Sequence, residues 1–138
     1  MIEYDKFKNS LKHLELQYDN YKTLDPTQPV LIKEAVSESV IQRFETCYDC
    51  MWKVLKRYLT ENLGIPGVPN SPKPILRLAA NNDLFVSSIE QWFLYADSRT
   101  STSHDYSGEK AGACLEIMQN FINDAINLYE KMSGECWQ

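Results

Sequence analysis

The stretch from residue 30 to residue 63 contains neither glycine nor proline, and its apolar side chains return at helical rather than strand spacing. Val30, Val36, Val40, Ile41, Phe44, Tyr48, Met51, Trp52, Leu55, Tyr58 and Leu59 make up the series, the stripe expected of a helix that buries one face. The run predicts a single helix of roughly 50 Å, at about 1.5 Å per residue, and a rod of that length sets the size of whatever packs against it. Gly64 suits a left-handed C-terminal residue and Pro66 a stop, so the helix should end near Leu63.

The same spacing recurs on both sides of the rod. Between Tyr4 and Leu24, Phe7, Leu11, Leu14, Tyr18 and Tyr21 follow one another at intervals of 4, 3, 4 and 3, an amphipathic helix that Asp25 and Pro26 end. Residues 64–74 hold four of the six prolines and two of the five glycines, which predicts an ordered crossing loop within one domain. Ser71 and Pro72 then suit the N-cap and first turn of a short helix running through Ile75, Leu76 and Ala79 to a turn at Asn81, Asn82 and Asp83. Phe85, Ile89, Trp92, Ala96 and Arg99 repeat the 4, 3, 4, 3 pattern, so a third long helix carries its apolar stripe directly into an arginine. A last helix is predicted from Ala111, Cys114, Met118, Phe121, Ala125, Leu128 and Met132, with Asp105 or Ser107 as N-cap and Gly134 as terminus.

Strand-like alternation is hard to find, and the fold class is therefore all-α. The expected architecture is an up-and-down four-helix bundle with an additional short helix after the Pro-rich loop, filling residues 1–138 as one domain. A chain of 138 residues can bury one sizeable core and is too short for two of ordinary size. No secretion signal is recognisable near Met1, and no apolar stretch approaches the ~18 residues of a membrane span. A cytoplasmic protein without a membrane partner is expected. The formal charge of −5, from 14 basic and 19 acidic side chains, offers no global basic field for nucleic acid. Any RNA contact must come from a local site.

Cys47 and Cys50 form an isolated C-x-x-C, while Cys114 and Cys136 stand apart. Without a secretion signal, all four are expected as reduced thiols. The pair admits two readings, a zinc half-site or redox pair and two soft side chains partly in the core. A structural zinc site needs a second ligand pair at suitable spacing, and the only histidines are His13 and His104. No metal ligands and no cofactor are expected.

Common enzyme signatures are missing: there is no Gly-rich phosphate loop, no nucleophile elbow and no paired acidic motif after a Gly-Ser turn. What can carry chemistry is Arg99-Thr-Ser-Thr-Ser-His104-Asp-Tyr106, an R-x4-H-x-Y cluster spanning a helix end, a hydroxyl-rich turn and a helix start. Arg99 offers a permanent charge and a planar fork of donors for phosphate oxygens, and the ordinary pKa of a histidine such as His104 lies near neutrality. Together they suit metal-free phosphodiester cleavage. His104 would move the proton as an RNA 2′-hydroxyl attacks the adjacent phosphate, while Arg99 stabilises the added negative charge. The start of the last helix adds backbone N–H groups facing the same region. Tyr106 would orient the substrate or accept a transferred nucleotidyl group, and Thr100, Ser103 and Asp105 are supporting candidates. The same Arg and His also suit a plain structural role, as a helix-dipole partner and a surface residue. One Arg and one His make a thin site, and a two-fold axis is the simplest way to double it.

This motif, at the junction of the third and fourth long helices of an all-α bundle, resembles the HEPN superfamily. Tyr106, the Ser71-Pro72 helix start and the stretch from Trp92 to His104 look like its nucleotidyltransferase substrate-binding branch. The likeness covers nearly the whole chain in helix order, with its specific content between Ser71 and Tyr106. It implies a homodimer in which Arg99 and His104 line a composite cleft and act as a metal-independent endoribonuclease, the toxin of a toxin–antitoxin pair. It further implies a separately encoded minimal nucleotidyltransferase partner that attaches AMP from ATP to Tyr106 and so blocks the phosphate site. The alternative implied is a non-catalytic substrate- or nucleotide-binding subunit of a two-component nucleotidyltransferase. One departure is Thr100, where asparagine is common after the arginine in this branch.

Lys53, Lys56 and Arg57 fall on adjacent turns, either as an RNA-phosphate stripe or as a solvated face. Trp52 and Trp92 are expected in the core, Trp137 and His13 at the surface. Phe7, Tyr18 and Tyr21 suit either the core or a partner subunit.

Overall fold

The long glycine-free run folds as the rod its spacing predicts. In the computed structural model, which describes residues 1–103, 105 and 108–138, α2 covers Val30–Arg57 and continues into a π-helical turn at Tyr58–Asn62. The wider turn shows in Leu63 N–H, which donates to Tyr58 O at 3.2 Å, a bond spanning five residues. Gly64 then takes φ of 66°, a left-handed geometry open to a residue without Cβ. Only the later part of α2 is core. Val40, Ile41, Phe44, Tyr48, Met51 and Leu55 are buried, whereas Val30, Leu31 and Ile32 are exposed, so the apolar series begins a turn or more before the packed face does.

Four more helical segments and a short one complete the bundle. Helix α1 covers Asp5–Thr23, α3 Pro72–Asn81, α4 Ile89–Ser101, α5 Gly108–Glu116 and α6 Met118–Ser133. Arg57, at the end of α2, reaches Met1 O, so α1 and α2 run antiparallel. Tyr4 bonds to Met132 O and Lys22 to Gln119, which sets α1 antiparallel to α6 as well. The anticipated fourth long helix is interrupted at Ile117, whose φ of −90° and ψ of −1° separate α5 from α6. Its stripe survives the break: Ala111, Cys114, Met118, Phe121, Ala125, Leu128 and Met132 are all buried. Gly134 ends α6 in the left-handed region at φ 76°.

The third long helix begins later than its periodicity suggests. Ser88 caps α4 by accepting from Gln91 N–H, and Phe85 lies in the preceding turn with its ring stacked on Trp92 at 4.2 Å between centroids. A stacked aromatic outside the helix thus mimics one more helical repeat. Trp92, Tyr95, Phe44 and Phe121 then form an edge-to-face cluster where α2, α4 and α6 meet. Trp137, expected outside, packs on Tyr129 and donates its indole N–H to Glu15. Phe7 is buried in the core, and Tyr18 and Tyr21 stack on each other, partly buried. No helix among the described residues is long and apolar enough to cross a membrane.

Candidate functional site

Arg99 sits in the last turn of α4 and points its guanidinium at α2. Its Nε donates to Asp49 Oδ1 at 3.2 Å and its Nη2 to Asp49 Oδ2 at 3.1 Å, a fork-on-fork pairing. Nη1 donates to Glu45 Oε2 at 3.3 Å and to Ser103 Oγ at 3.2 Å. Glu45 and Asp49 lie four residues apart on α2, the spacing that brings two side chains onto one helical face. The arginine that continues the apolar stripe of α4 is therefore carried toward the core side but stops at its rim, with 27% of its side chain exposed.

Glu45 is the deeper of the two carboxylates. It is buried and accepts a second bond from the hydroxyl of Thr102 at 2.9 Å. Thr102 is itself fully buried and was not among the residues the motif singled out, because nothing in the run Thr100-Ser-Thr-Ser distinguishes one hydroxyl from the next. The supporting candidates divide. The Ser103 hydroxyl accepts from Arg99 Nη1 and donates to Arg99 O, Thr100 is exposed and returns its hydroxyl to Ala96 O, and Asp105 is exposed. His104, Tyr106 and the N-cap candidate Ser107 lie outside the described residues.

A cleft of about 450 Å3 opens beside the arginine. Tyr48, Asp49 and Trp52 of α2 form one wall, the start of α3 from Ser71 to Pro74 a second, and Arg99, Thr100 and Ser103 the third. Trp52, expected in the core, is only partly buried because it lines this opening. Burial pushes the Tyr48 hydroxyl well above its ordinary pKa, reinforced by the negative charge of Asp49 and opposed by Arg99. The hydroxyl stays neutral and can donate.

Lys53, Lys56 and Arg57 each have a nearby polar or aromatic group: Lys53 lies over the Trp52 ring, Lys56 bonds to Asn70 and Arg57 to Glu61. Cys47 is buried and Cys50 partly so. Desolvation raises the Cys47 thiol far above the range in which it would ionise, which suits the packing reading of the pair. His13 is exposed, as expected.

These features define a class: an all-helical bundle with an arginine, clamped by two α2 carboxylates, at the mouth of a small cleft lined in part by rings. Residues 2–134 match the family model described as nucleotidyltransferase substrate binding protein like, and the chain belongs to that family. It is 30% identical over 129 residues to the probable ribonuclease HepT of Haemophilus influenzae, covering 89% of this chain and 84% of the relative. Among solved structures, a Haemophilus influenzae protein described as having the fold of a substrate-binding domain of a nucleotidyltransferase superposes with a TM-score of 0.84. That match has 25% identity and covers 94% of this chain and 98% of the other. A Thermus thermophilus protein superposes with a TM-score of 0.69 at 26% identity, covering 90% and 98% of the two chains.

Proposed function

We propose that the chain is a HEPN-type toxin subunit, a metal-independent endoribonuclease paired with a separately encoded minimal nucleotidyltransferase that neutralises it by adenylylating Tyr106. The observation that carries this reading is the placement of Arg99. It opens an R-x4-H spacing to His104, lines the cleft, and is held there by carboxylates with part of its side chain still exposed. The name of the Haemophilus relative supports the ribonuclease part of this reading, and the family membership supports the nucleotidyltransferase partner.

In the proposed reaction the RNA 2′-oxygen bonds to the adjacent phosphorus and the bond to the 5′-oxygen breaks. His104 moves the proton between the two oxygens, and Arg99 offsets the charge gathering on the phosphoryl oxygens. Two copies related by a two-fold axis supply two such pairs to one composite cleft. Transfer of AMP from ATP to the Tyr106 phenol releases pyrophosphate and leaves a bulky anion two residues from His104, competing for the same phosphate-binding charge.

Incubating the purified, unmodified protein with RNA in the presence of a chelator tests the reading. Cleavage that disappears in His104→Ala is expected, and an intact dimer that leaves RNA uncut overturns it. Mass spectrometry after co-expression with the nucleotidyltransferase should find AMP-sized additions on Tyr106.

A second reading, a non-catalytic binding subunit of that nucleotidyltransferase, is favoured by one observation: Arg99 is already engaged by both Asp49 and Glu45 within a single chain. It predicts stable co-purification and nucleotide-dependent binding with no RNA cleavage.

A further inference from the structure

The cleft beside Arg99 has features that phosphate binding alone does not use. Tyr48 lines it, yet the Tyr48 hydroxyl is buried and has no hydrogen-bond partner among the described residues. Polar atoms so placed in folded proteins nearly always have one. Trp52, a turn further along α2, contributes a partly exposed indole, with Lys53 Nζ 5.9 Å from its ring centroid.

The facing wall is unusual for a helix start. Pro72 and Pro74 occupy the first turn of α3 and bring no N–H groups, and Ser71, at the N-cap, makes no capping bond with its side chain. This end of α3 is thus poor in the backbone donors that make other helix starts anion sites. It offers ring faces and one hydroxyl instead. Two cations reach the lining, Arg99 held by Asp49 and Glu45 and Lys73 held by Asp97, so the cleft presents charge-bearing donors in a chain of net charge −5.

We propose that this cleft is a nucleotide subsite, in which a nucleobase lies against Trp52 and the α3 prolines, Tyr48 donates to a polar edge of the base or ribose, and the attached phosphate reaches Arg99. The volume of about 450 Å3 suits a small ligand of this kind. An aromatic platform beside a cation is how single-stranded nucleic acid is held without a basic surface, because every base has a face that stacks. The inference rests on Arg99 as the phosphate-binding group of the proposed function. A nucleotide of this chemistry could be part of an RNA strand or an adenylyl group, and the two sources are separable.

The test follows the Trp52 indole N–H resonance, identified by its loss in Trp52→Phe, while the full-length unmodified protein is titrated with AMP and, separately, with a 2′-O-methyl RNA tetramer that cannot be cleaved. RNA cleavage is measured on the same preparation. A saturable shift is expected, with Kd raised about tenfold by Trp52→Ala and about fivefold by Tyr48→Phe. Tyr48→Phe should not lower the urea midpoint, since it removes a hydroxyl without a partner among the described residues, and so keeps the test valid if Trp52→Ala fails to fold. A shift with the tetramer alone supports the strand as occupant, and a shift with AMP alone supports the adenylyl group. An unmoved Trp52 resonance with intact cleavage overturns the subsite and leaves the ribonuclease reading standing. A Trp52 shift without cleavage supports the subsite and overturns the ribonuclease reading. Unchanged Kd in Tyr48→Phe overturns the role of its hydroxyl.

Discussion

Arg99 grips Asp49 with two nitrogens at once, at 3.2 and 3.1 Å, tying the end of α4 to the middle of α2. Both side chains remain partly exposed, so water screens the pair and its contribution to stability is small, about 1 kcal/mol or less. What the grip fixes is the direction of the guanidinium. Asp49→Asn keeps the shape and loses the charge. It should move the urea midpoint little while lowering kcat for RNA cleavage roughly tenfold, with KM nearly unchanged, because a phosphate still finds the arginine but in a less aligned pose. Equal losses in stability and activity would show Asp49 to be a strut only.

Glu45 should behave differently because it is buried. Its carboxylate accepts from both Thr102 and Arg99, and truncation to alanine leaves the Thr102 hydroxyl to backbone acceptors such as Ser98 O and takes a charged partner from the partly buried guanidinium. Glu45→Ala is expected to cost about 2–4 kcal/mol, and Glu45→Gln, which still offers one acceptor, about half that. Equilibrium urea unfolding of the two variants checks the order. A Glu45→Ala protein as stable as the parent would contradict the burial argument.

Periodicity made the core legible and the partners of Arg99 illegible, for the same reason. Spacing reports which side chains share a face, and it placed Phe44, Tyr48 and Met51 of α2 and nearly all of the last helix where they are buried. It also aimed Arg99 inward. Which elements then face each other depends on helix crossing, so nothing in the motif from Arg99 to Tyr106 indicates that Glu45 and Asp49, some fifty residues earlier, hold the arginine. One signal does stand in the sequence: Glu45 immediately follows Phe44 in the packed half of α2, and an acid at the edge of a buried stripe needs a donor. The start of α4 misled because Phe85 stacks on Trp92 from outside the helix, and a single-residue break such as Ile117 leaves the apolar spacing unaltered.

A second buried carboxylate lies at the other end of α4. Asp124 accepts from the hydroxyls of Tyr95 and Ser87, and Gln91 donates to the Tyr95 oxygen. The network joins α6 to α4 and the turn before it. Asp124→Ala strips two hydroxyls of their acceptor and should destabilise by about 2–4 kcal/mol, whereas Asp124→Asn should cost about 1–2 kcal/mol. None of Asp124, Ser87, Gln91 and Tyr95 lines the cleft beside Arg99, so RNA cleavage by folded Asp124→Asn should match the parent in a temperature series below the unfolding transition.

High pH should expose the buried thiols as a stability effect. Burial pushes the Cys114 thiol up from 9.0 to about 11, against a smaller lowering by its bond with Ser98. Desolvation raises Cys47 further still. In each case the unfolded chain loses its proton first as pH rises, so the native state binds more protons and stability falls. For Cys114 the stabilisation is complete below pH 9 and is lost between 9 and about 11, a drop of about 2–3 kcal/mol at most. Urea midpoints measured at about pH 8 and about pH 10.5 should diverge, and Cys114→Ala should reduce the divergence even if it lowers both midpoints through the small cavity it leaves. Thiol labelling gives an independent check. Cys136 is exposed and should react with a disulfide reagent at once, while Cys47 and Cys114, both buried, should react only as the chain unfolds. Rapid labelling of Cys114 in the native protein near neutral pH would refute this account of its burial.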